Sequence, residues 1–596
     1  MAVIKKKWTL PENIPAEQIS HLAKDINVPD SLASILIARD IHDRSEAKKF
    51  FMPELAQLHD PFLMKNMNKA CERLIKVINE KEKILVFGDY DVDGTSGVSM
   101  FHVFMNEMGV PNKVFIPDRF TDGYGLSGSG IDKAADEGIK LIITIDCGIT
   151  ADEKVKYAKE HGIDIIICDH HHPPNEIPDA YAVLDALQPG CEYPFKYLCG
   201  AGVAFKLVQA ICIRLGIDNY IKLIDFVAVA TAADMVPVID ENRILIHYGF
   251  KQIIEDPRPS FLTLMRKSGF KTEKITTSNV VFGLGPRINA VGRLGDATRA
   301  VEFLTCSDVS KVEALASVLE FENMNRKKID SEIYLQAQNS YEDYLKMSSS
   351  NGDDIGIVLH NPEWHPGVLG IIASRMVEKY YRPSIILTTF NGHAKGSARS
   401  INHFNMYDAL KQCSEEFSGL VQFGGHYHAA GLEVELDRID EFRKCFNQVA
   451  KSMIESAELG RDILIPEIKI DAELNIDDIN GRFVKILKHF EPFGPSNMTP
   501  IFISTSLQVI GAPRVYNGST CVFKVRNAHP AIDENGNSRD TNIIDCIYYQ
   551  SPSNDESDRI DVRTGDRLDI AYSVEENHWN DRTKTQLRVR DMKLLN

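Results

Sequence analysis

The sequence lacks the features that mark membrane and secreted proteins. It contains no run of about 18 uninterrupted apolar residues, so no membrane-spanning helix is expected. Its first residues, MAVIKKKWTL, include lysines but no apolar stretch of the kind found in secretory signals. The 11 cysteines include no CxxC pair, which predicts reduced thiols rather than a disulfide framework. We therefore expect a cytoplasmic protein that does not associate with a membrane.

An excess of basic charge is also missing. The formal net charge is −17, and broad, nonspecific adhesion to nucleic acid needs many Lys and Arg residues to replace counterions. This charge still permits an enzyme that holds nucleic acid in a local basic groove and uses metal ions to neutralise the remaining phosphate charge. The chain has 596 residues, which is enough for roughly three or four domains of about 150 residues each.

Three carboxylates stand close together in residues 84–97, which read ILVFGDYDVDGTSG. Residues 84–88 are predicted to form a buried strand, and Asp89, Asp91 and Asp93 follow at alternating positions. Such carboxylates repel one another unless a cation lies between them, and hard divalent metals prefer oxygen ligands. In open α/β sheets, ligands bind beyond the carboxyl ends of the strands. The stretch therefore predicts a metal site, with a solvated acidic turn as the simpler alternative.

The same aspartates, together with Gly94, match the first half of a calcium-binding EF-hand loop. That loop requires a glutamate at its twelfth position. Counting from Asp89, the twelfth residue is Met100. The residues before the loop also resemble a strand rather than a helix, so the EF-hand interpretation is rejected.

Other apolar runs also end in possible metal ligands. Asp146 ends one run, Asp169 with His170 and His171 ends the next, and Asp234 ends the small-residue run FVAVATAADMVP. Because the carboxyl ends of parallel strands lie on one edge of a sheet, these side chains are expected to converge. Short Ile- and Val-rich runs alternating with helix-length segments predict such a sheet, at residues 84–88, 112–117, 141–146 and 163–169.

Each of these residues has a simpler explanation when it is taken alone. Asp146 could cap a helix, an Asp-His pair is usually a surface turn, and Asp234 could be a turn residue. Together, so many carboxylates and imidazoles at one sheet edge would be unstable without a cation. The set therefore predicts a metal centre.

Four motifs, DYDVDG, IDCGIT, CDHHHPP and AADMVP, resemble the signature of the DHH phosphoesterase superfamily. From about residue 30 onward the chain is similar to the single-strand-specific 5′ exonucleases of that superfamily. The resemblance implies that Asp146 bridges two ions, that His171 is a non-ligating general acid, and that Asp89 either binds metal or supports a ligand. Mixed imidazole and carboxylate ligands favour Mn²⁺ over Mg²⁺. The implied metal ligands are Asp89, Asp91, Asp93, Asp146, His170 and Asp234.

The stretch FGLGPRINAVGRLGDA (282–297) is expected to bring arginines to a phosphate. Its glycines and Pro286 predict that Arg287 and Arg293 lie in or near a loop, and a guanidinium fork matches two phosphate oxygens. In the resembled exonucleases this stretch lies near the active site, which implies that Arg287 is catalytic and that Asn289 binds substrate. The alternative for both arginines is an ordinary structural ion pair.

A second α/β segment, with strands predicted at IGIVLH and PSIILTT, resembles the DHH-associated domain. Ser397 and Arg399 are predicted in a Gly-Ser turn suited to phosphate, and His426 follows a Gly pair that permits close approach of a ligand. By the same resemblance, Arg119 joins Ser397 and Arg399 in holding a 5′ phosphate. His426 could instead be an ordinary polar residue, and Arg119 could be a surface ion-pair residue.

The last segment is predicted to be a small β-barrel. Short strand-like runs separated by turn signals fit this class, among them PIFIST, LQVIGA, CVFKVR, NIIDCIYY and LDIAYSV. Together with FEPFGPSNMTPIF they resemble the oligonucleotide-binding (OB) fold of the same exonucleases. Phe523, Tyr548, Tyr549 and Trp579 either stack on bases or fill the core of the barrel.

The expected architecture is an α/β protein of five parts. A parallel-sheet DHH domain is joined by a long helix to a smaller α/β DHH-associated domain, and an all-β OB-fold barrel follows. A helical pattern from about Asp308 to Tyr344, free of Gly and Pro, predicts the connecting helix. The predicted parts are an N-terminal helical accessory region (1–80), the DHH catalytic domain (81–305), the connecting helix (306–350), the DHH-associated substrate-binding domain (351–460) and the OB-fold nucleic-acid-binding domain (461–596).

The resemblance implies a metal-dependent exonuclease that hydrolyses single-stranded DNA from 5′ to 3′ in DNA repair and recombination. Single-stranded DNA is the expected partner of a monomeric enzyme, with a single-strand-binding protein and a helicase as further partners. One alternative is a DHH phosphodiesterase for short oligonucleotides, cyclic dinucleotides or pyrophosphate, which would not need the barrel. A second is a non-enzymatic DNA-binding scaffold, against which the complete Asp and His set argues.

Overall fold

The computed structural model describes residues 5–11, 13–119, 121–123, 125–347, 354–517, 519–529, 541–549, 562–579 and 582–595. The strands are β1 (Lys7–Thr9), β2 (Ile84–Gly88), β3 (Asn112–Phe115), β4 (Leu141–Ile145), β5 (Asp164–Cys168), β6 (Ala182–Leu184), β7 (Ile357–His360), β8 (Ser384–Phe390), β9 (His393–Arg399), β10 (Leu420–Gly425), β11 (Ala429–Glu435), β12 (Glu467–Lys469), β13 (Ala472–Glu473), β14 (Phe502–Tyr516), β15 (Thr520–Asn527), β16 (Ile544–Tyr549), β17 (Arg567–Trp579) and β18 (Arg582–Leu595). The helices are α1 (Ala16–Ile26), α2 (Asp30–Ile37), α3 (Arg44–Phe51), α4 (Met67–Glu80), α5 (Val92–Glu107), α6 (Gly128–Asp136), α7 (Asp152–Glu160), α8 (Gly200–Leu215), α9 (Ile224–Ala233), α10 (Asp240–Glu255), α11 (Pro259–Lys267), α12 (Thr277–Asn279), α13 (Gly285–Leu294), α14 (Thr298–Thr305), α15 (Val309–Met347), α16 (Leu369–Tyr380), α17 (Met406–Glu416), α18 (Ile439–Ser456) and α19 (Gly481–Lys488). Among these described helices, none is both long and apolar enough to cross a membrane.

The chain divides into two compact units. The first unit consists of residues 16–324 and 485–499, and the second consists of residues 1–15, 325–484 and 500–596. The predicted connecting helix is confirmed as α15, which is 39 residues long. The division between the units falls within α15, at residues 324 and 325.

The start of the chain departs from the predicted helical accessory region. Helices α1 and α2 fall within the region predicted to be helical, but β1 belongs to the second unit, where it pairs in parallel with β12. The Trp8 indole donates a hydrogen bond of 2.7 Å to the Asp591 carboxylate. A strand whose partner lies more than 450 residues away leaves no local periodicity from which to predict it.

The first unit is built on a five-stranded sheet in the order β3-β2-β4-β5-β6. All of its pairings are parallel, which confirms the four predicted strands. Strands β2 and β4 are buried along their whole length. Alternate residues of β2 enter two different hydrophobic clusters, Ile84 and Val86 on one face and Leu85 and Phe87 on the other. Burial on both faces explains the uninterrupted apolar runs.

Two predictions of local structure in the first unit are wrong. The run that ends at Asp234 is helix α9 rather than a strand, because its small residues allow close helix packing. A Cβ atom placed on Gly249 of α10 would lie 2.3 Å from the Ala228 Cβ. The stretch expected to form the loop of Arg287 is largely helix α13. Its Gly292 permits close packing, since a Cβ there would lie 2.7 Å from the Tyr90 carbonyl oxygen.

The second unit contains a mixed sheet in the order β10-β11-β9-β8-β7. Strands β7 and β8 pair in parallel, as the α/β pattern predicts, whereas β8–β9, β9–β11 and β10–β11 are antiparallel. The predicted turn around Ser397 and Arg399 is wrong, because both residues lie in β9. Gly396 serves close strand packing there, since a Cβ would lie 2.5 Å from the Ile386 carbonyl oxygen.

The second unit also contains the predicted barrel. Strands β14, β15, β16, β18 and β17 pair in that order, and the pairing of β14 with β17 closes the ring. The runs PIFIST and LQVIGA belong to the single long strand β14, whose register shifts allow it to bend. Phe523 and Tyr548 are buried, whereas Tyr549 is 55% exposed. The side chain of Trp579 lies outside the described residues.

Candidate metal centre

Carboxylates and imidazoles from four segments of the first unit converge at the carboxyl edge of its sheet. Asp89, Asp91 and Asp93 follow β2, Asp146 follows β4, and Asp169 to His171 follow β5. Asp234 arrives from the C-terminal end of α9. Three overlapping groups have possible ligand atoms within 4.8 Å of one another: Asp89, Asp91 and Asp146; Asp146, His170 and His171; and Asp93, His170 and Asp234.

His170 lies among three of the carboxylates. Its Nε2 atom is 3.2 Å from Asp146 Oδ1, 3.7 Å from Asp234 Oδ2 and 3.8 Å from Asp93 Oδ2. Asp146 and His170 each belong to two of the three groups. The geometry therefore brings together every predicted metal ligand, with Asp146 and His170 at the centre.

Three carboxylate oxygens of this cluster provide a test of whether a cation fits. Asp89 Oδ1, Asp146 Oδ1 and Asp234 Oδ2 are buried and have no hydrogen-bond partner among the described residues. Burial, reinforced by the charges of neighbouring carboxylates, raises the pKa of all three groups well above its ordinary value. An unpaired buried carboxylate oxygen is costly. Divalent cations that accept mixed oxygen and nitrogen ligands would remove that cost, so the residues fit Mn²⁺ or Mg²⁺.

The backbone around the cluster requires residues that tolerate unusual conformations or close contacts. Asp146 itself has a φ of +63°, in the left-handed region that Asp tolerates better than most residues. A Cβ on Gly200 would lie 2.6 Å from the Asp146 Cα atom, and one on Gly94 would lie 2.4 Å from the Asp89 carbonyl oxygen. The backbone N–H groups of Gly200 and Ala201, at the start of α8, donate hydrogen bonds of 2.6 and 2.9 Å to the Asp93 carboxylate. The two hydrogen bonds fix the orientation of the Asp93 carboxylate.

His171 is oriented by Asp169 rather than by the cluster. Its Nδ1 lies 2.7 Å from Asp169 Oδ1, and the Asp169 carboxylate also accepts the backbone N–H groups of Ile149 and His170, at 2.9 and 2.7 Å. Burial alone would lower the pKa of His171, but the hydrogen bond and charge of Asp169 raise it to about 9. Burial would likewise raise the pKa of Asp169, but its contacts with His171 lower it. The Asp169 carboxylate therefore favours the protonated form of His171.

The remaining predicted site residues of the first unit differ in their surroundings. The Arg119 guanidinium lies 5.1 Å from the centre of the Tyr90 ring. Tyr90 is the residue between Asp89 and Asp91 in the sequence. Asn289 Oδ1 is buried without a hydrogen-bond partner in the described part of the chain. Arg287 is buried and forms an ion pair with Glu320. Its Nη1 also donates to the Gly283 carbonyl at 2.8 Å, so its contacts favour the structural alternative.

In the second unit, Ser397 and Arg399 lie together against the first turn of α16. Arg399 Nη1 donates a 2.8 Å hydrogen bond to Ser397 Oγ. A Cβ on Gly370 would lie 2.7 Å from Arg399 Nη2 and 3.1 Å from Ser397 Oγ. A guanidinium beside a helix N-terminus favours an anion. His426 is exposed and follows Gly425, where a Cβ would lie 2.3 Å from the Ala429 carbonyl oxygen.

One buried acid at the sheet edge is missed by the sequence argument. Asp185 follows β6 and is fully buried. Its Oδ1 accepts the Leu187 N–H at 2.6 Å, while Oδ2 has no partner among the described residues. Burial raises the pKa of Asp185 to about 7. The sequence does contain a signal, which is an aspartate directly after an apolar run. That run, β6, has only three residues and is too short to be recognised as a strand.

The arrangement agrees with known families. The DHH family, N-terminal domain, matches residues 83–231, the DHHA1 domain matches residues 326–452, and the RecJ OB domain matches residues 470–591. In shape, the chain is similar to RecJ from Thermus thermophilus in complex with Mn²⁺, with a TM-score of 0.80 at 24% identity over 98% of this chain and 79% of that one. It is also similar to an exonuclease RecJ bound to manganese, with a TM-score of 0.57 at 30% identity over 68% of this chain and 99% of that one.

One relative establishes the family to which the chain belongs. The single-stranded-DNA-specific exonuclease RecJ of Bacillus subtilis (strain 168) is 32% identical over 595 residues. The match covers 99% of this chain and 71% of the relative. All three domain families are present in the order that the four motifs and the barrel predict. The chain therefore belongs to the RecJ family of DHH proteins.

Proposed function

We propose that this protein is a metal-dependent exonuclease that hydrolyses phosphodiester bonds of single-stranded DNA from 5′ to 3′. The observation that carries the proposal is the set of three buried carboxylate oxygens, from Asp89, Asp146 and Asp234, that have no hydrogen-bond partner in the described chain and belong to one cluster of possible metal ligands. Relatives of the same family are named single-stranded-DNA-specific exonucleases, and one related structure is an exonuclease RecJ bound to manganese. The proposed biological setting is DNA repair and recombination.

The acidic cluster holds two divalent cations, Mn²⁺ or Mg²⁺. When bound, such ions neutralise charge on the scissile phosphate and make water a better nucleophile at neutral pH. Asp146 is the proposed bridging ligand, because its carboxylate shares one ligand group with Asp89 and Asp91 and another with His170. Gly200 and Ala201 hold Asp93 in its orientation through their N–H groups. The proposed ligands are Asp89, Asp91, Asp93, Asp146, His170 and Asp234.

His171 is the general acid. The hydrogen bond and charge of Asp169 raise the pKa of His171 and so favour the protonated imidazole, which can give a proton to the leaving oxygen. Asp169 accepts the Nδ1–H and thereby leaves the Nε2–H as the proton that can be transferred. Asp169 is a positioning residue, because its carboxylate is already occupied by backbone N–H groups and by His171.

Several residues bind the phosphates of the substrate. Arg119, Ser397 and Arg399 hold the 5′ phosphate, and the contacts of Arg399 with Ser397 and with the start of α16 support this role. Asn289 and His426 are further substrate contacts. For Arg287 the contacts support a positioning role, in which its ion pair with Glu320 fixes the helix that carries Asn289.

The domain assignment and partners are also proposals. The DHH catalytic domain spans 81–305 and the DHH-associated domain spans 351–460, with the connecting helix at 306–350 and the accessory region at 1–80. The OB-fold domain of 461–596 is the platform for single-stranded DNA. The protein acts as a cytoplasmic monomer together with a single-strand-binding protein and a helicase.

The proposal is tested with single- and double-stranded DNA labelled at the 5′ or the 3′ end, incubated with Mn²⁺, Mg²⁺ or EDTA. We expect the 5′ label to be released first, from single strands only, and no release in EDTA. Early release of the 3′ label would contradict the polarity, and release in EDTA would contradict the metal centre. Hydrolysis of cyclic dinucleotides without activity on long single strands would favour the phosphodiesterase alternative.

A further inference from the structure

The segment 485–499 belongs to the first unit, although the residues on both sides of it belong to the second. It contacts the loop 235–238, which directly follows Asp234. The Val238 N–H donates a 2.7 Å hydrogen bond to the Pro495 carbonyl. A Cβ on Gly494 would lie 2.3 Å from Val238 Cγ2, and Val238 is 1% exposed. The segment therefore packs directly against the loop that leads from the candidate metal ligand.

A single buried guanidinium fixes the first half of this segment. Arg243 of α10 is 3% exposed, and its charge lies 3.9 Å from the centre of the Phe50 ring. Its nitrogens donate to carbonyl oxygens at distances of 2.9 to 3.4 Å. The accepting carbonyls are those of Phe50, His489, Phe490, Glu491 and Pro492.

The buried side-chain amide of Asn497 fixes the second half of the segment 485–499. The Asn497 side chain donates hydrogen bonds of 2.8 Å to the carbonyls of Phe490 and Pro492, and it accepts one from Arg39. Gly494 and Asn497 exchange backbone hydrogen bonds of 3.0 and 2.9 Å. The Pro495 carbonyl that meets the Val238 N–H lies between these two residues, so its position is determined by the closed loop.

Residues outside the loop 235–238 hold it in position. Met235, the residue after Asp234, has a φ of +58° and is 59% exposed. The Pro237 carbonyl accepts a 2.9 Å hydrogen bond from the Asn242 side chain, and the Val238–Pro495 bond is the next contact along the chain. Because Asp234 Oδ2 lies only 3.7 Å from His170 Nε2, a shift of this loop changes the geometry of the cluster.

We propose that residues 485–499 are a positioning element of the metal centre, which holds the loop 235–238 and thereby the Asp234 carboxylate. The inference rests on the proposed role of Asp234 as a metal ligand. It also changes how truncations are interpreted. A chain cut near residue 463 loses this segment together with the barrel, so its inactivity would not identify the barrel as a DNA platform.

The test is Mn²⁺ binding by the full chain, measured by isothermal titration calorimetry without DNA. Gly494→Ala drives a Cβ into Val238 Cγ2, and we expect about tenfold weaker binding, as for other groups that support metal ligands. Val238→Ala combined with Gly494→Ala removes the clashing methyl and should restore most of the affinity. Gly481→Ala is the matched control, because a Cβ there meets nothing within 4 Å.

The outcomes separate this inference from the proposed function. If Gly494→Ala lowers the thermal midpoint but binds Mn²⁺ as the wild type does, the segment is only structural and the inference is wrong. If Gly494→Ala does not fold, Arg39→Met removes the outer contacts to Asn497 and Met498, and unchanged Mn²⁺ binding in that variant also overturns it. Asp234→Asn is the reference, since unchanged binding there would contradict the proposed ligand role itself.

Discussion

The two α/β sheets of this protein present opposite charges by different means. In the first unit, acids gather at the carboxyl edge of a parallel sheet, from the loops after its strands and from the end of α9. Buried oxygens of Asp89, Asp146 and Asp234 have no hydrogen-bond partner there in the described chain. In the second unit, Ser397 and Arg399 lie within an antiparallel strand and against the first turn of a helix. The first arrangement suits cations, and the second suits a phosphate.

The difference indicates that the two sets of residues have separate roles in the proposed reaction. Residues of the acidic cluster act on the transition state, so their loss should lower kcat. Residues of the basic pair act on the phosphate at the end of the substrate, so their loss should raise KM with little change in kcat. Substitutions in the two sheets therefore test whether the roles are divided in this way.

The largest effect is expected for Asp146→Asn. The change removes one charge from the centre of the cluster, and metal-ion catalysis is worth several kcal/mol, so kcat should fall by about a thousandfold or more. Steady-state degradation of single-stranded DNA with Mn²⁺ measures it. Asp152→Asn is the control, because Asp152 is a partly exposed acid paired with Lys156 on α7. Near-normal kcat in Asp146→Asn would contradict the contrast.

The next effect is expected for His171→Gln. Loss of a general acid should lower kcat by about 10²- to 10⁴-fold, while Mn²⁺ binding stays close to that of the wild type. Because the pKa of His171 is raised to about 9 and bound cations lower it, wild-type activity should fall as pH rises toward 9. A pH profile of kcat measures this, and the alkaline decline should be absent from the variant. Lost Mn²⁺ binding would instead make His171 a ligand.

A smaller effect, of a different kind, is expected for Arg399→Met. Hydrogen bonds to a charged group are worth about 1.5 to 3 kcal/mol, so KM for 5′-phosphorylated strands should rise by about 10- to 100-fold. KM for strands with a 5′ hydroxyl should change little. Lys395→Met removes an equal charge from the same strand and is the control, since Lys395 is exposed and paired with Glu433. Equal losses on both kinds of end would refute the 5′-phosphate assignment.

The smallest effect on catalysis is expected for Asp185→Asn, which changes stability instead. The folded-state pKa of Asp185 is raised from 3.8 to about 7, so its ionisation costs stability progressively as pH rises from about 4 to 7. At about 1.4 kcal/mol per pKa unit, the variant should be a few kcal/mol more stable than the wild type at pH 8. Thermal midpoints at pH 5 and pH 8 measure the difference. Asp179→Asn is the control, because the exposed Asp179 is paired with Lys159 and its pKa is lowered.

Most of the metal centre is predictable from the sequence, because strands buried on both faces leave continuous apolar runs and their terminal acids stand out. Asp146 and His170 are found in this way. Asp234 is also found, although its run is a helix: Ala- and Val-rich segments suit both elements. Glycines mislead elsewhere, since Gly396 and Gly292 serve close packing and not turns.

Long-range docking is the part that the sequence does not predict. Residues 485–499 stand next to barrel strands along the chain, but Arg243 and Asn497 fix them in the other unit. Strand β1 likewise pairs with β12. Neither contact leaves a periodic pattern or a motif spacing in the sequence, because each depends on a partner hundreds of residues away.

If the acidic cluster is a two-metal site, each chain binds two Mn²⁺ ions. Calorimetry or equilibrium dialysis counts the Mn²⁺ ions bound per chain in the wild type and in Asp146→Asn. Two ions per wild-type chain are expected, with at least one of them lost or greatly weakened in the variant. A wild-type chain that binds no ion, or a variant that binds as the wild type does, would contradict the account.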